Sequence, residues 1–479
     1  MKSFDAVVIG SGPGGYVCAI RLGQLGVKTA IVEMEKVGGV CLNVGCIPSK
    51  ALIHAAEVFH QMTTEAAEIG ITAKGVSCDF EKTQEWKNGV VKKLTGGVQN
   101  LLKMNKVELI QGKASFVDSK TIQVEGKSGK EQISSKNFVI ATGSRTIELP
   151  FMKFNGKNVV SSTEALEFKE VPKSLIVVGG GFIGIEIGMA YAKLGSEVTI
   201  AEALPALLAT IDQELVAVVT KRMKDLGIKV YTSTQAKDLK EKGKTLQLEV
   251  LAGDKKETLQ AEVVLVSVGR RPNSDGLGLE RAGVRLDAKG NISISSLGET
   301  STPGIFAIGD VTGPPQLAHR AMMDGMLVAS TISGEKAFRD YRVVPWAVFS
   351  DPEIAVCGLT EKEAQEKGLR VKVGKFPFVA SGRALSTNAT SGLVKVIINE
   401  KDESIVGVHI AGADASNLIA EAAIAMEMGA TAEDILRTIH THPTLAETLP
   451  EAIEAATGKA IHIYKPVIAR TAQRPNANA

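Results

Sequence analysis

Asp5-Ala6-Val7-Val8-Ile9-Gly10-Ser11-Gly12-Pro13-Gly14-Gly15 decides the fold of this chain. Its first five residues are mostly apolar and β-branched, which reads as a buried strand. A glycine cluster follows, then a helical pattern to about Gly26, then a second strand, Thr29-Ala30-Ile31-Val32, that ends at the acid Glu33. The same grammar returns at residue 175. Leu175-Ile176-Val177-Val178 leads into Gly179-Gly180-Gly181-Phe182-Ile183-Gly184, a helical stretch runs to about Gly195, and Val198-Thr199-Ile200 ends near Glu202. The separation from Gly10 to Glu33 is 23 residues, and from Gly179 to Glu202 it is again 23. One GxGxxG is weak evidence, because glycine-rich turns are common. Two copies, each after a strand and each followed at equal distance by an acid, are strong evidence for two dinucleotide-binding turns.

The glycines have distinct duties. Gly10 and Gly179 permit the tight turn, Gly12 and Gly181 let a pyrophosphate approach the backbone, and Gly15 and Gly184 let helix pack against strand. Each helix N-terminus then offers N–H groups and a positive dipole end to phosphate. Glu33 and Glu202 can accept from a ribose diol. An acid at Glu202 would repel a 2′-phosphate, so NAD is favoured over NADP. Phe138 to Ser144 and Gly304 to Asp310 read as two further strands returning to the first sheet, with the 175–270 region inserted between them. After Arg342 the pattern changes. Residues 343–375, 393–400 and 404–410 look like strands, and 415–428 and 432–440 look helical, giving a separate α+β region. Thr471 to Ala479 is polar and reads as a frayed tail.

Bulk properties narrow the function. A chain of 479 residues suggests about three domains. The formal net charge of +2 and the 4% aromatic content predict neither a nucleic-acid nor a membrane partner. The apolar window Ser174 to Ala192 is long enough to cross a bilayer, but its glycine cluster and Glu186 favour strand, turn and helix. The N-terminus lacks a secretory pattern, and five scattered cysteines are too few for a disulfide framework. A reducing, cytoplasmic setting is expected.

Cys41 and Cys46 stand apart in Gly38-Gly39-Val40-Cys41-Leu42-Asn43-Val44-Gly45-Cys46-Ile47-Pro48-Ser49-Lys50. A regular helix would keep positions i and i+5 too far apart for a disulfide, which needs Cα atoms within about 7 Å. The glycines allow an irregular turn into a helix instead, and a thiolate at a helix N-terminus is stabilised and reactive. Zinc prefers CxxC pairs, and no second pair follows. A redox dithiol is the better reading. Cys18, Cys78 and Cys357 are read as isolated small residues. Near the C-terminus, His442 precedes Pro443 and lies five residues before Glu447. A His–Glu pair suits a base that deprotonates thiols.

These segments resemble the signatures of the pyridine nucleotide-disulfide oxidoreductases, from about residue 4 to about 470. The motifs are most similar to members that oxidise protein-bound dihydrolipoamide with NAD⁺. The resemblance implies an α/β fold with two Rossmann-like domains, for FAD and NAD, plus a C-terminal α+β dimerisation domain. Its divisions fall at 1–145 (FAD), 146–274 (NAD), 275–342 (a central segment completing the FAD region) and 343–479 (interface). It implies that Cys41 exchanges with substrate and that Cys46 lies against the flavin. Lys50 would lie near the flavin ring, paired with Glu186. Glu33, Ala114, Thr142, Gly143, Ser144, Asp310, Gln316, Leu317, Ala318 and His319 would line FAD. Gly179 to Glu186, Glu202, Ala236 and Gly269 would serve NAD. His442 would be the base, oriented by Glu447, and would act on Cys41 of the partner subunit in a homodimer. The implied macromolecular partner is a lipoyl-bearing E2 or carrier protein of a 2-oxo acid dehydrogenase complex or glycine cleavage system. A glutathione- or mercuric-reductase-like enzyme is the alternative. Phe349, Cys357 and Thr441 depart from the family's usual residues without touching these roles.

Overall fold

The computed structural model describes residues 1–127 and 129–464; the polar tail from Thr471 lies outside them. The chain forms two compact units. One contains Met1–Thr210 and Lys221–Tyr341, and the other contains Ile211–Thr220 and, among the described residues, those from Arg342 to Tyr464.

In the first unit, Lys2–Ile9 lies between Thr29–Glu33 and Gly129–Ile140 and runs parallel to both. Ala6, Val7 and Val8 are fully buried. A parallel strand covered on both faces is apolar throughout rather than alternating, which is why Asp5 to Ile9 reads as one apolar run. Glu108–Gln111 joins beside Thr29–Glu33, and Ile305–Ala307 pairs in parallel with Gly129–Ile140. The chain therefore does return to this sheet after the inserted region. Lys113–Asp118 and Thr121–Gly126 extend the sheet as an antiparallel meander.

The insertion builds a second, five-stranded parallel sheet. Ser174–Val178 sits between Glu197–Ala201 and Val263–Val266, with Lys229–Tyr231 and Val159–Val160 at the edges. The apolar window at Ser174 resolves into this strand, a turn and the helix Phe182–Lys193. A three-stranded antiparallel sheet, Thr234–Lys242, Thr245–Ala252 and Lys255–Ala261, is appended.

The second unit is a five-stranded antiparallel sheet in the order Trp346–Val348, Glu353–Gly358, Ile405–Gly412, Leu393–Asn399, Val371–Pro377. The helix Thr448–Thr457 lies so close that a Cβ at Gly374 would stand 1.9 Å from the Ala452 carbonyl oxygen.

Four expectations need correction. Residues 343–375 are not strands throughout, because Thr360 and Glu363 form a capping box that starts the helix Glu361–Glu366. The last helix expected before His442 stops at Arg437, where Thr438 turns extended. Phe138 to Ser144 is not one strand: Gly143 takes a positive φ of 69°, and Ser144–Thr146 pairs elsewhere. Gly304 to Asp310 shortens to Ile305–Ala307, followed by a 3-10 turn over Gly309–Thr312. The helix Phe80–Met104, with Asp79 accepting from the Lys82 N–H at 3.2 Å, has no counterpart in the sequence reading.

Candidate active site

The two glycine turns are built alike. Gly10 and Gly179 have φ of 98° and 109°, and a Cβ there would stand 2.4 Å from the Ala141 oxygen or 2.6 Å from the Ser267 oxygen. A Cβ at Gly15 or Gly184 would come within 2.0 or 2.3 Å of the carbonyl oxygen of Gly10 or Gly179. Each of these four places excludes a side chain. At Gly12 and Gly181, by contrast, nothing lies within 4 Å of the Cβ position. Open backbone at a helix N-terminus is what an approaching pyrophosphate requires.

The acids repeat too. One oxygen of Glu33 accepts from the Ser11 N–H at 2.9 Å and the other from the Glu35 N–H at 2.7 Å. One oxygen of Glu202 accepts from the Gly180 N–H at 2.5 Å and the other from the Leu204 N–H at 2.6 Å. Each carboxylate is thus braced over its turn, at the far end of the adjacent strand.

Other expected cofactor residues gather around the first turn. The Gly112 N–H donates to the Glu33 carbonyl at 2.8 Å, which sets Ala114 close by; its side chain is buried in the core, so only its backbone can face a ligand. Gln316 and Leu317 lead directly into the helix Ala318–Ser333, with Ala318 and His319 in its first turn. This helix crosses Pro13–Gln24 at close range, since a Cβ at Gly14 would stand 2.8 Å from the Ala321 oxygen and one at Gly325 2.6 Å from the Gly14 oxygen. Cys18 is buried beside that crossing and packs as a core residue. Ala236 lies in the appended antiparallel sheet at a register shift and packs against the core of the inserted region.

The dithiol segment is two helices, not one. Gly38 and Gly39 take positive φ, a short helix spans Gly39–Val44, and the chain breaks at Gly45 before a second helix, Cys46–Thr63. The break lets thiols five residues apart meet, and Cys46 becomes the first residue of a long helix. The Cys41 S–H donates to Cys46 and holds that thiol below the ordinary value near 9; desolvation opposes this and Lys50 adds to it. Cys41 is pushed up by the same hydrogen bond and by desolvation. Lys50, one turn along from Cys46, pairs with Glu186 at 2.7 Å, and Glu186 is only 4% exposed. Seven residues further along both helices, Glu57 and Lys193 pair with the charges exchanged. The second pair was not foreseen, because helical spacing shows which residues share a face and not which two faces meet.

In the second unit, His442 Nδ1 lies 2.9 Å from Glu447 Oε1, and the other Glu447 oxygen accepts from the Thr444 N–H at 2.8 Å. Desolvation works to raise the Glu447 carboxyl, but the Thr444 N–H and His442 outweigh it and hold it below the usual carboxylate range. An ionised carboxylate can only accept, so Nδ1 is the protonated nitrogen and Nε2 is left as the base. The imidazole is 78% exposed.

The family model for pyridine nucleotide-disulphide oxidoreductases matches residues 4–325, and its dimerisation domain matches residues 344–453. The chain belongs to the pyridine nucleotide-disulphide oxidoreductase family. Among members of this family, dihydrolipoyl dehydrogenase of Geobacillus stearothermophilus is 49% identical over 96% of this chain and 97% of its own length. The Haloferax volcanii protein of the same name is 45% identical, again over 96% of this chain and 97% of its own. The flavoprotein disulfide reductase RclA from Escherichia coli is similar in structure, with a TM-score of 0.85 at 28% identity, covering 95% of this chain and 99% of that one. As a pyridine nucleotide-disulphide oxidoreductase the protein takes FAD and NAD as cofactors, and the two open glycine turns fit two dinucleotides.

Proposed function

We propose that the chain oxidises protein-bound dihydrolipoamide to lipoamide with NAD⁺, through a disulfide between Cys41 and Cys46. The observation that carries this reading is the joining, in one chain, of two dinucleotide turns to a dithiol whose Cys46 opens a helix. FAD belongs at the Gly10 turn, with residues 1–145 and 275–342, and NAD at the Gly179 turn within 146–274. Residues 343–479 form the interface of a homodimer, in which His442 and Glu447 serve Cys41 of the partner subunit.

The residues divide the work as follows. His442 Nε2 takes a proton from a substrate thiol, and the resulting thiolate attacks the Cys41 sulfur of the disulfide. The Cys41–Cys46 bond breaks and Cys46 leaves as a thiolate. Lys50, one turn along the same helix, remains beside Cys46 in this step and favours its charged form, and a better stabilised thiolate leaves faster. His442 passes this first proton to solvent and takes that of the second substrate thiol; the new thiolate displaces Cys41 and closes lipoamide, and the imidazolium returns its proton to the departing Cys41 sulfur. The substrate has lost two electrons and two protons, and the Cys41–Cys46 pair has gained the electrons. FAD, when bound, supplies the two-electron relay from this dithiol to NAD⁺, which leaves as NADH. Lys50 stabilises the Cys46 thiolate, and Glu202 selects NAD over NADP by charge. The small number of cysteines supports a cytoplasmic setting, and a lipoyl-bearing E2 or carrier protein is the partner that this chemistry needs.

Anaerobic turnover of the purified protein tests the reading. Dihydrolipoamide with NAD⁺ should yield NADH. If glutathione disulfide with NADPH is turned over and dihydrolipoamide is not, the sister-reductase reading takes its place.

A further inference from the structure

Two segments that the sequence reading assigned to different cofactors form one ribbon. Ser144–Thr146 pairs antiparallel with Arg270–Pro272. Thr142 Oγ1 donates to the Asn273 carbonyl at 2.7 Å, and Asn273 Nδ2 donates to the Thr142 carbonyl at 3.0 Å. Arg270 grips this ribbon at two points. Its Nε donates to Ser144 Oγ and its Nη2 to the Ser144 carbonyl, both at 2.7 Å. The Ser144 hydroxyl in turn donates to Asp310 Oδ2 at 2.5 Å. The direction of this relay is fixed. Guanidinium only donates and carboxylate only accepts, so the single hydroxyl proton of Ser144 must point to Asp310.

Ser144 is 3% exposed, and Asp310 stands in a one-turn 3-10 segment that follows a strand of the first sheet. The Ser144 hydroxyl ties the Asp310 carboxylate to the ribbon, a tether that the turn's own backbone bonds do not provide. Burying a guanidinium is costly unless nearby groups offset it. The charge of Asp310 and the thiol of Cys46 bear on Arg270 from the side of the first dinucleotide region.

We propose that Arg270 is a positioning residue for the flavin site. Its two-point grip aims the Ser144 hydroxyl, which holds one oxygen of Asp310 and leaves the other to accept from a hydroxyl of the bound flavin. This rests on the reading of Asp310 as a flavin contact. The fork matters as well as the charge: a lysine ammonium on a flexible stem does not reproduce the fixed pair of donors.

The test is the dissociation constant for FAD of the holoenzyme and its variants, read by flavin fluorescence, with the melting temperature of each flavin-free protein alongside. Arg270→Met and Arg270→Lys should each weaken FAD about tenfold, the loss of roughly one charge-assisted hydrogen bond. Ser144→Ala should do the same. Because both act through one hydroxyl, the Arg270→Met/Ser144→Ala double variant should be no weaker than the poorer single one. Saturating FAD should restore turnover in Arg270→Lys. Losses that multiply in the double variant, or Arg270→Lys binding FAD as the parent does, would overturn the relay. Asp310→Asn separates the two levels: if it leaves FAD affinity unchanged, the flavin reading of Asp310 falls. If it weakens FAD while the Arg270 variants do not, the relay alone falls.

Discussion

The turn from Gly10 to Glu33 and the turn from Gly179 to Glu202 share their backbone angles and their carboxylate hydrogen bonds, yet the acids have different surroundings. Glu33 is 7% exposed, and Ser11 gives it a hydroxyl bond at 2.5 Å beyond the N–H bond. Glu202 is half-buried, and Gly180, in the place of Ser11, has no side chain to give. The helix Ala318–Ser333 crosses the helix that follows the first turn, meeting it at Gly14. Under the proposed function, the tighter hold on Glu33 suits a resident cofactor, and the looser hold on Glu202 suits a dinucleotide that exchanges on every cycle. Only the first is followed by the dithiol. On that reading one local motif serves two kinetic roles, and what surrounds the acid sets the difference.

The most severe way to separate the halves is to remove the dithiol and keep both turns. Cys41→Ser should lower dihydrolipoamide oxidation by about 10³-fold or more while the protein stays yellow and still passes electrons from NADH to an artificial acceptor. Loss of that second activity would mean the dithiol also supports the nucleotide half. His442→Gln should cost about 10²- to 10⁴-fold in lipoamide chemistry, the usual worth of a general base, and spare the same NADH reaction.

The comparison sharpens with a matched pair of acid removals. Glu33→Ala should come off gel filtration with reduced FAD. Glu202→Ala should keep its FAD and raise the KM for NAD⁺ about tenfold, with kcat little changed. Flavin loss from Glu202→Ala would show that resident and exchanging sites have been assigned the wrong way round.

The smallest effect concerns acidity. The Cys46 thiol lies below the ordinary value near 9, with Lys50 among the causes. Removing a cation disfavours the thiolate, so in Lys50→Met the pH midpoint for alkylating the reduced protein should move upward, and alkylation at neutral pH should slow. An unmoved midpoint would assign the shift to the Cys41 hydrogen bond alone.

The fold class, the two turns, the dithiol and the His442–Glu447 pair were legible from residue order, because each depends on local requirements. A tight turn needs glycine, a doubly covered strand is apolar throughout, and paired chemistry shows as paired residue types at short spacing. The same locality explains the errors. Thr360 and Glu363 start a helix through a capping box inside a stretch of strand-like residues, and Phe138 to Ser144 reads as one strand although Gly143 turns it. What only the tertiary structure decided are contacts between residues far apart in the chain. Ser144 meets Arg270 and Asp310 across separations of 126 and 166 residues, and Glu57 meets Lys193 across 136. Periodicity carries no record of such meetings, since any surface arginine or lysine has the same local pattern. They exist because two sheets return the chain to one place, and the burial there makes a hydrogen bond or ion pair necessary.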